Sequence, residues 1–187
     1  MKKYKIDSSY LIFPFKYHNQ IKEKLLKHID IAKFKSVNIP SAEVNISKTD
    51  WFISSDKSRK WVSYLLPFLV KEMQNAFVEL GYDGFTMQEL WFQQYNNNSQ
   101  HGWHIHSSNF TNVYYLELPK ETPKTKIVNP HNQKEVIELD VKEGDIVVFP
   151  SYILHQSGKN ISNSRKTIIS YNTNATYSDN IYGKGIN

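Results

Sequence analysis

The spacing of hydrophobic positions changes near the middle of the chain. Over residues 19–31 the apolar side chains Ile21, Leu25, Leu26 and Ile29 fall at i, i+4, i+5 and i+8, the pattern of one helical face. A longer run from Ser58 places Trp61, Leu65, Leu66, Leu69, Met73, Phe77 and Leu80 at helical spacing, and Gly81 follows as a C-terminal cap. Pro67 lies inside this run, which predicts a kinked helix or two joined ones. Residues 44–53 read as a short strand between the helices, with Trp51 and Phe52 as core candidates. From Phe85 onward the pattern becomes that of strands, at 86–95, 111–118, 126–128, 135–139, 145–149 and 166–171. Turn signals separate them: Asn96-Asn97-Asn98, Asn129-Pro130-His131-Asn132, Glu143-Gly144 and Ser157-Gly158. Many short strands after two helices predict a mainly β sandwich or barrel with flanking α-helices packed outside. The expected organisation is one domain over 1–187: helical or irregular support at 1–84, the β core at 85–173 and a polar tail at 174–187.

Composition narrows the chemistry. Hydrophobic residues make up 40% and aromatic residues 14%, which is ample material for one core in 187 residues. Cysteine is absent, so disulfides, cysteine metal sites and a thiol nucleophile are all excluded. The net charge of +5 comes from scattered lysines with no recognition motif, so a solvated surface is expected and a nucleic-acid partner is not. Asp7, Ser8 and Ser9 interrupt any leader-like apolar run, and the apolar clusters at 10–15 and 64–70 are too short to span a bilayer. A cytoplasmic protein without a membrane partner is therefore expected. No phosphate loop, dinucleotide glycine motif or Ser–His–Asp elbow is present.

Three of seven histidines fall close together, at His101, His104 and His106. On an extended segment His104 and His106 share a face, roughly 6.5–7 Å apart, and can converge on one metal. Such a pair alone is more often two ordinary strand histidines. His155 changes the weighing, because it follows a turn, the strand at 145–149 and a proline break; a barrel that set it beside His104 and His106 would assemble three ligands with positions left open. His101 reads as either a neighbour of the ligands or an exposed residue beside Gly102. On the last strand Arg165, Thr167, Ile169 and Tyr171 share a face. An inward Arg165 would need an anion, and its planar fork suits a carboxylate, with the Thr167 hydroxyl beside it; the bland alternative is a surface ion pair.

The ordered set His104-x-His106, His155 and Arg165-x-Thr167 resembles the Fe(II)- and 2-oxoglutarate-dependent oxygenases. The phrase 144–155 (GDIVVFPSYILH) and the strand residues Asn112-Val113-Tyr114-Tyr115-Leu116 are similar to the uncharacterised and phage-type branch related to prolyl hydroxylases. The resemblance covers 91–172 and implies a double-stranded β-helix (a cupin-like jelly roll) that uses Fe(II), O2 and 2-oxoglutarate as cosubstrate. It implies His104 as first ligand and His155 as last, Arg165 with Thr167 on the distal carboxylate of 2-oxoglutarate, and Tyr115 and Tyr95 on the cosubstrate side. Both tyrosines also fit an ordinary aromatic core. His106 stands where the usual family triad has a carboxylate, leaving Fe(II) a formal +2 rather than +1 before the cosubstrate binds. The activity implied is hydroxylation of a protein side chain such as proline, or of a small metabolite, with release of succinate and CO2. A three-histidine cupin-like dioxygenase without 2-oxoglutarate and a non-catalytic jelly-roll binding module are the alternatives.

Overall fold

The architecture follows from strands whose two faces are buried against different partners. A computed structural model describes residues 1–2 and 8–177. Its larger sheet has seven antiparallel strands in the order β1 (Leu11–Pro14), β9 (Asp145–Pro150), β6 (Phe110–Glu117), β11 (Lys166–Thr176), β4 (Gly84–Tyr95), β3 (Val44–Thr49) and β2 (Lys35–Ile39). The smaller sheet runs β5 (His101–His104), β10 (His155–Ser157), β7 (Thr125–Val128) and β8 (Val136–Glu138). The expected mainly β jelly roll with outside helices is what the chain forms.

One face of the larger sheet meets the helices α1 (His18–Asp30) and α2 (Lys60–Glu79). Ile21, Leu25 and Ile29 of α1 and Leu65, Leu69, Met73 and Phe77 of α2 are buried there against Leu90, Phe92, Tyr114, Ile146, Val148, Ile169 and Tyr171. Each such side chain contributes about 1.5–3 kcal/mol by leaving water. The alternate residues of the same strands, Tyr95, Val113, Tyr115, Val147, Phe149 and Ile168, turn inward to a second core closed by Ile127 and Ile153. The helix pattern therefore predicts its stripe correctly. Pro67 sits inside α2, which continues through it as one element, so the option of two joined helices falls away.

The strand expected over 44–53 stops at Thr49 as β3. Trp51, expected in the core, begins a short 3-10 turn and is 56% exposed. Asp50 is drawn inward in its place. Its carboxylate accepts hydrogen bonds from Trp61 Nε1 (2.7 Å) and the Phe92 amide (3.0 Å), and pairs with Arg59. Arg59 in turn donates to the carbonyls of Leu90 and Ser54. This buried group ties the turn, α2 and β4 together. The short strands β1, β2, β5 and β10 are absent from the sequence reading. The tail expected from residue 174 begins later, since β11 runs to Thr176; residues 178–187 lie outside the described residues.

Asp50→Asn leaves Arg59, 8% exposed, without a counter-charge. We expect a loss of about 3–5 kcal/mol in urea unfolding; a loss below about 1 kcal/mol would show that the pair is not structural.

Candidate metal centre

Antiparallel pairing of β10 with β5 sets His155 directly opposite His104. His106 follows just beyond β5, where its amide donates to the Ser151 carbonyl (3.1 Å). The ring centroids of His104 and His155 are 4.2 Å apart, those of His106 and His155 5.1 Å, and those of His104 and His106 5.2 Å. One ligand nitrogen from each of the three lies within 4.8 Å of the others.

Their tautomers follow from their partners. Nδ1 of His104 meets the Gly102 carbonyl (2.7 Å), and Nδ1 of His155 meets the Ile153 carbonyl (2.9 Å). A carbonyl only accepts, so both Nδ1 atoms hold the proton. Nδ1 of His106 meets Asn172 Oδ1 (2.7 Å), whose amide is oriented by donating from Nδ2 to Glu89 Oε2 (2.9 Å). Each ring is thus left with an Nε2 lone pair, the donor a first-row divalent metal needs. Burial lowers every imidazole pKa: His104 to about 4, and His106 and His155 in the same direction. The rings are neutral at neutral pH, as ligation requires. Three neutral nitrogen donors on one side with space on the other fit Fe(II).

His101 is half-buried rather than exposed. It stacks on His104 at 3.8 Å between centroids, and burial pushes its pKa down to about 3. Tyr95 and Tyr115 belong to the inner core, and Tyr95 lines the narrow cavity that the histidines share. The Tyr115 hydroxyl donates to Thr125 Oγ1 (2.6 Å).

The facing of β11 is the reverse of the sequence reading. Lys166, Ile168, Ser170 and Asn172 turn inward, while Ile169 and Tyr171 pack on the helix side. Arg165 therefore does not enter the barrel. It makes a two-pronged pair with Glu117 (2.9 and 3.0 Å) and a further bond to Asp30 (3.1 Å), and Thr167 also donates to Glu117. The inward base is Lys166, fully buried, with Nζ donating to Ser157 Oγ (2.5 Å) and the Pro123 carbonyl (2.9 Å) and lying 4.7 Å from the Tyr95 ring centre. Sequence reasoning also missed Asn172 and Glu89; inward positions follow from a count by twos only once one residue's facing is known.

Three cavities meet the histidines, one of them, about 680 Å3, reaching His106 from the side of Tyr82 and Tyr152. A narrow one runs past His155 toward Tyr95, Thr125 and Ser157. The third, about 500 Å3, opens between the β2–β3 hairpin and β4, with Ile39, Val44, Trp51, Glu89 and Trp91 in its wall. The hairpin stays close because Gly102 lets its loop approach: the Gly102 amide donates to the Glu43 carbonyl (3.1 Å), and a Cβ there would lie 2.4 Å from the Ala42 oxygen. Among the described residues no helix is long and apolar enough to cross a membrane.

Residues 89–172 match the family described as putative 2OG-Fe(II) oxygenase. A 2OG-Fe(II) oxygenase family oxidoreductase from Burkholderia pseudomallei superposes with a TM-score of 0.72 at 11% identity, covering 90% of this chain and 88% of its own. The epimerase SnoN, in complex with Fe3+, alpha ketoglutarate and nogalamycin RO, gives 0.67 at 10% identity over 96% and 88%. A Pseudomonas putida prolyl-4-hydroxylase gives 0.59 at 13% over 88% and 92%. Among curated proteins none matches. At such identities the structural likeness is one of fold, the double-stranded β-helix.

Asn172→Leu removes the acceptor that fixes His106. We expect about 10–100-fold weaker uptake of Fe(II) or Co(II) in anaerobic titration. An affinity within twofold of wild type would show that the Asn172 bond does not orient a ligand.

Proposed function

We propose, from the premise that the core segment 89–172 is of the 2OG-Fe(II) oxygenase family, that this protein is an Fe(II)- and 2-oxoglutarate-dependent hydroxylase. The observation that supports it most is one interior holding three histidines with free Nε2 atoms together with a buried, inward Lys166. His104, His106 and His155 would hold the metal. With O2 and 2-oxoglutarate, the bound iron supplies the oxidation: a substrate C–H becomes C–OH while the keto-acid is split into succinate and CO2.

The chain's own residues bind, orient and shield. Lys166 takes the role that the sequence reading gave to Arg165, as the cation for the distal carboxylate. A buried ammonium without a carboxylate partner is costly, and a diacid would relieve that cost. Tyr95 and Tyr115 shape the same end, with Thr125 and Ser157 as hydroxyl partners. Val113, Phe149 and Ile168 keep water from the barrel. Since Arg165 and Thr167 are engaged with Glu117, their part is to fasten β11 to β6. Three neutral ligands leave the ion's full +2, which favours the dianionic cosubstrate. A three-histidine dioxygenase without a keto-acid shares the ligand set, but it gives Lys166 no anion.

Anaerobic addition of 2-oxoglutarate to the Fe(II) protein should produce a visible charge-transfer band. His155→Ala should abolish it. Lys166→Ala should weaken cosubstrate binding at least tenfold with metal uptake retained, while Arg165→Ala should leave that affinity within about threefold. Metal uptake with no response to 2-oxoglutarate would sink the proposal in favour of the keto-acid-free reading.

The pH dependence has a definite sign. Burial lowers the Lys166 pKa to about 7. The dianion binds the protonated amine, so affinity should be level below pH 7 and fall above it by up to about tenfold per unit. Lys166→Arg, charged throughout, should flatten that slope between pH 7 and 8.5. A wild-type slope unchanged by the substitution would exclude Lys166 as its origin.

A further inference from the structure

The cavity between the β2–β3 hairpin and β4 has one carboxylate, Glu89, among its described lining residues. Val37, Ile39, Ile46, Ile105, Trp51 and Trp91 form an apolar and aromatic side of its wall, His104, His106 and Asn172 a polar one, and among the described residues no Lys or Arg lines it. Glu89 projects into it from β4, two residues before Trp91 on the same strand face. This runs against the molecule's excess of 23 basic over 18 acidic residues. Among the described residues, no cation pairs with Glu89. It accepts one hydrogen bond from Asn172 (2.9 Å) and a long one from Ser54 (3.5 Å). A carboxylate has about four acceptor positions, so capacity is left on the cavity side. A cationic guest would also meet two indole side chains, Trp51 and Trp91, and Trp is the best ring for an ammonium.

We infer that the cavity selects a small aliphatic amine, whose ammonium pairs with Glu89 while its alkyl chain lies against Trp51, Trp91 and the β2–β3 hairpin. A volume of about 500 Å3 is the size of a small-molecule site. This rests on the hydroxylase reading for what happens to the guest, but not for its binding. Glu89 joins to His106 through Asn172, so an amine held at Glu89 presents its chain to the histidines rather than its nitrogen. In the reaction, one C–H and O2 would go to C–OH with 2-oxoglutarate as reductant, yielding succinate and CO2 and leaving the ammonium intact. Glu89 is then a specificity residue. A neutral or anionic guest would leave its charge buried and unpaired.

The test uses n-hexylammonium, 1-hexanol and hexanoate, titrated against the full chain by calorimetry and by quenching of tryptophan fluorescence, with and without Co(II). Hexylammonium should bind at least tenfold more tightly than hexanol, and hexanoate least. Glu89→Gln should reduce the preference for ammonium over hexanol to within about twofold. Trp51→Ala, at an exposed ring, should weaken hexylammonium about threefold or more and serves if Glu89→Gln does not fold. Equal affinities for the three probes would overturn the inference. So would a preference that survives Glu89→Gln while Co(II) uptake falls, since Glu89 would then act only on His106. Amine binding is read without 2-oxoglutarate, so a missing charge-transfer band would count against the hydroxylase alone.

Discussion

The β10–β5 pairing joins His104 and His155, about fifty positions apart in the chain, and sets their two imidazoles 4.2 Å apart across a ladder. Nothing local brings His155 to His104; the pairing of the smaller sheet does. The two Nδ1 atoms find carbonyls two residues earlier, Gly102 within β5 and Ile153 in the turn before β10, so the backbone beside the pairing also chooses the tautomer. The histidine cluster is therefore a product of strand pairing rather than of an independent loop. His106 differs. It depends on a side chain, Asn172, from the larger sheet, and so its orientation records whether the two sheets have closed on one another.

The larger sheet separates two kinds of work. Toward the helices its residues are mostly apolar or tyrosine, with Asn112, Thr167 and Thr173 buried among them, and they supply the burial that holds the molecule together. Toward the smaller sheet the same strands offer Glu89, Gln93, Tyr95, Lys166, Ser170 and Asn172, groups that are costly in an interior unless paired. The apolar burial on the helix side offsets the cost of the polar interior. The Asp50 group is a charged site on that side. It is a buried charge satisfied by Arg59, Trp61 and a backbone amide, and it fixes where β3 ends and the cavity mouth begins.

The meeting of His104, His106 and His155 and the jelly roll were legible in the sequence because their signals are separable: turns between strands, and histidines in an order that few other arrangements share. The facing of β11 was not. Lys166 through Thr173 are all buried, so the alternation of apolar and polar residues that reveals a half-buried strand is missing. Arg165 and Lys166 are neighbours of the same charge sign, and a slip of one residue exchanges the barrel interior for the helix side. Trp51 misled for a different reason. Its size argues for burial, yet Asp50 held the stronger set of partners. Glu89 and Asn172 had no signal at all, because their meeting depends on the β4–β11 register.

Gly102 makes the cavity roof and the ligand strand into one mechanical piece. With the Glu43 carbonyl bonded to the Gly102 amide, and Gly102 supplying the carbonyl that holds His104, the roof is linked to a ligand through a single residue. A shift of the hairpin would pull on the hydrogen bond that aims the His104 ring, with the smallest amino acid as the transmission rod.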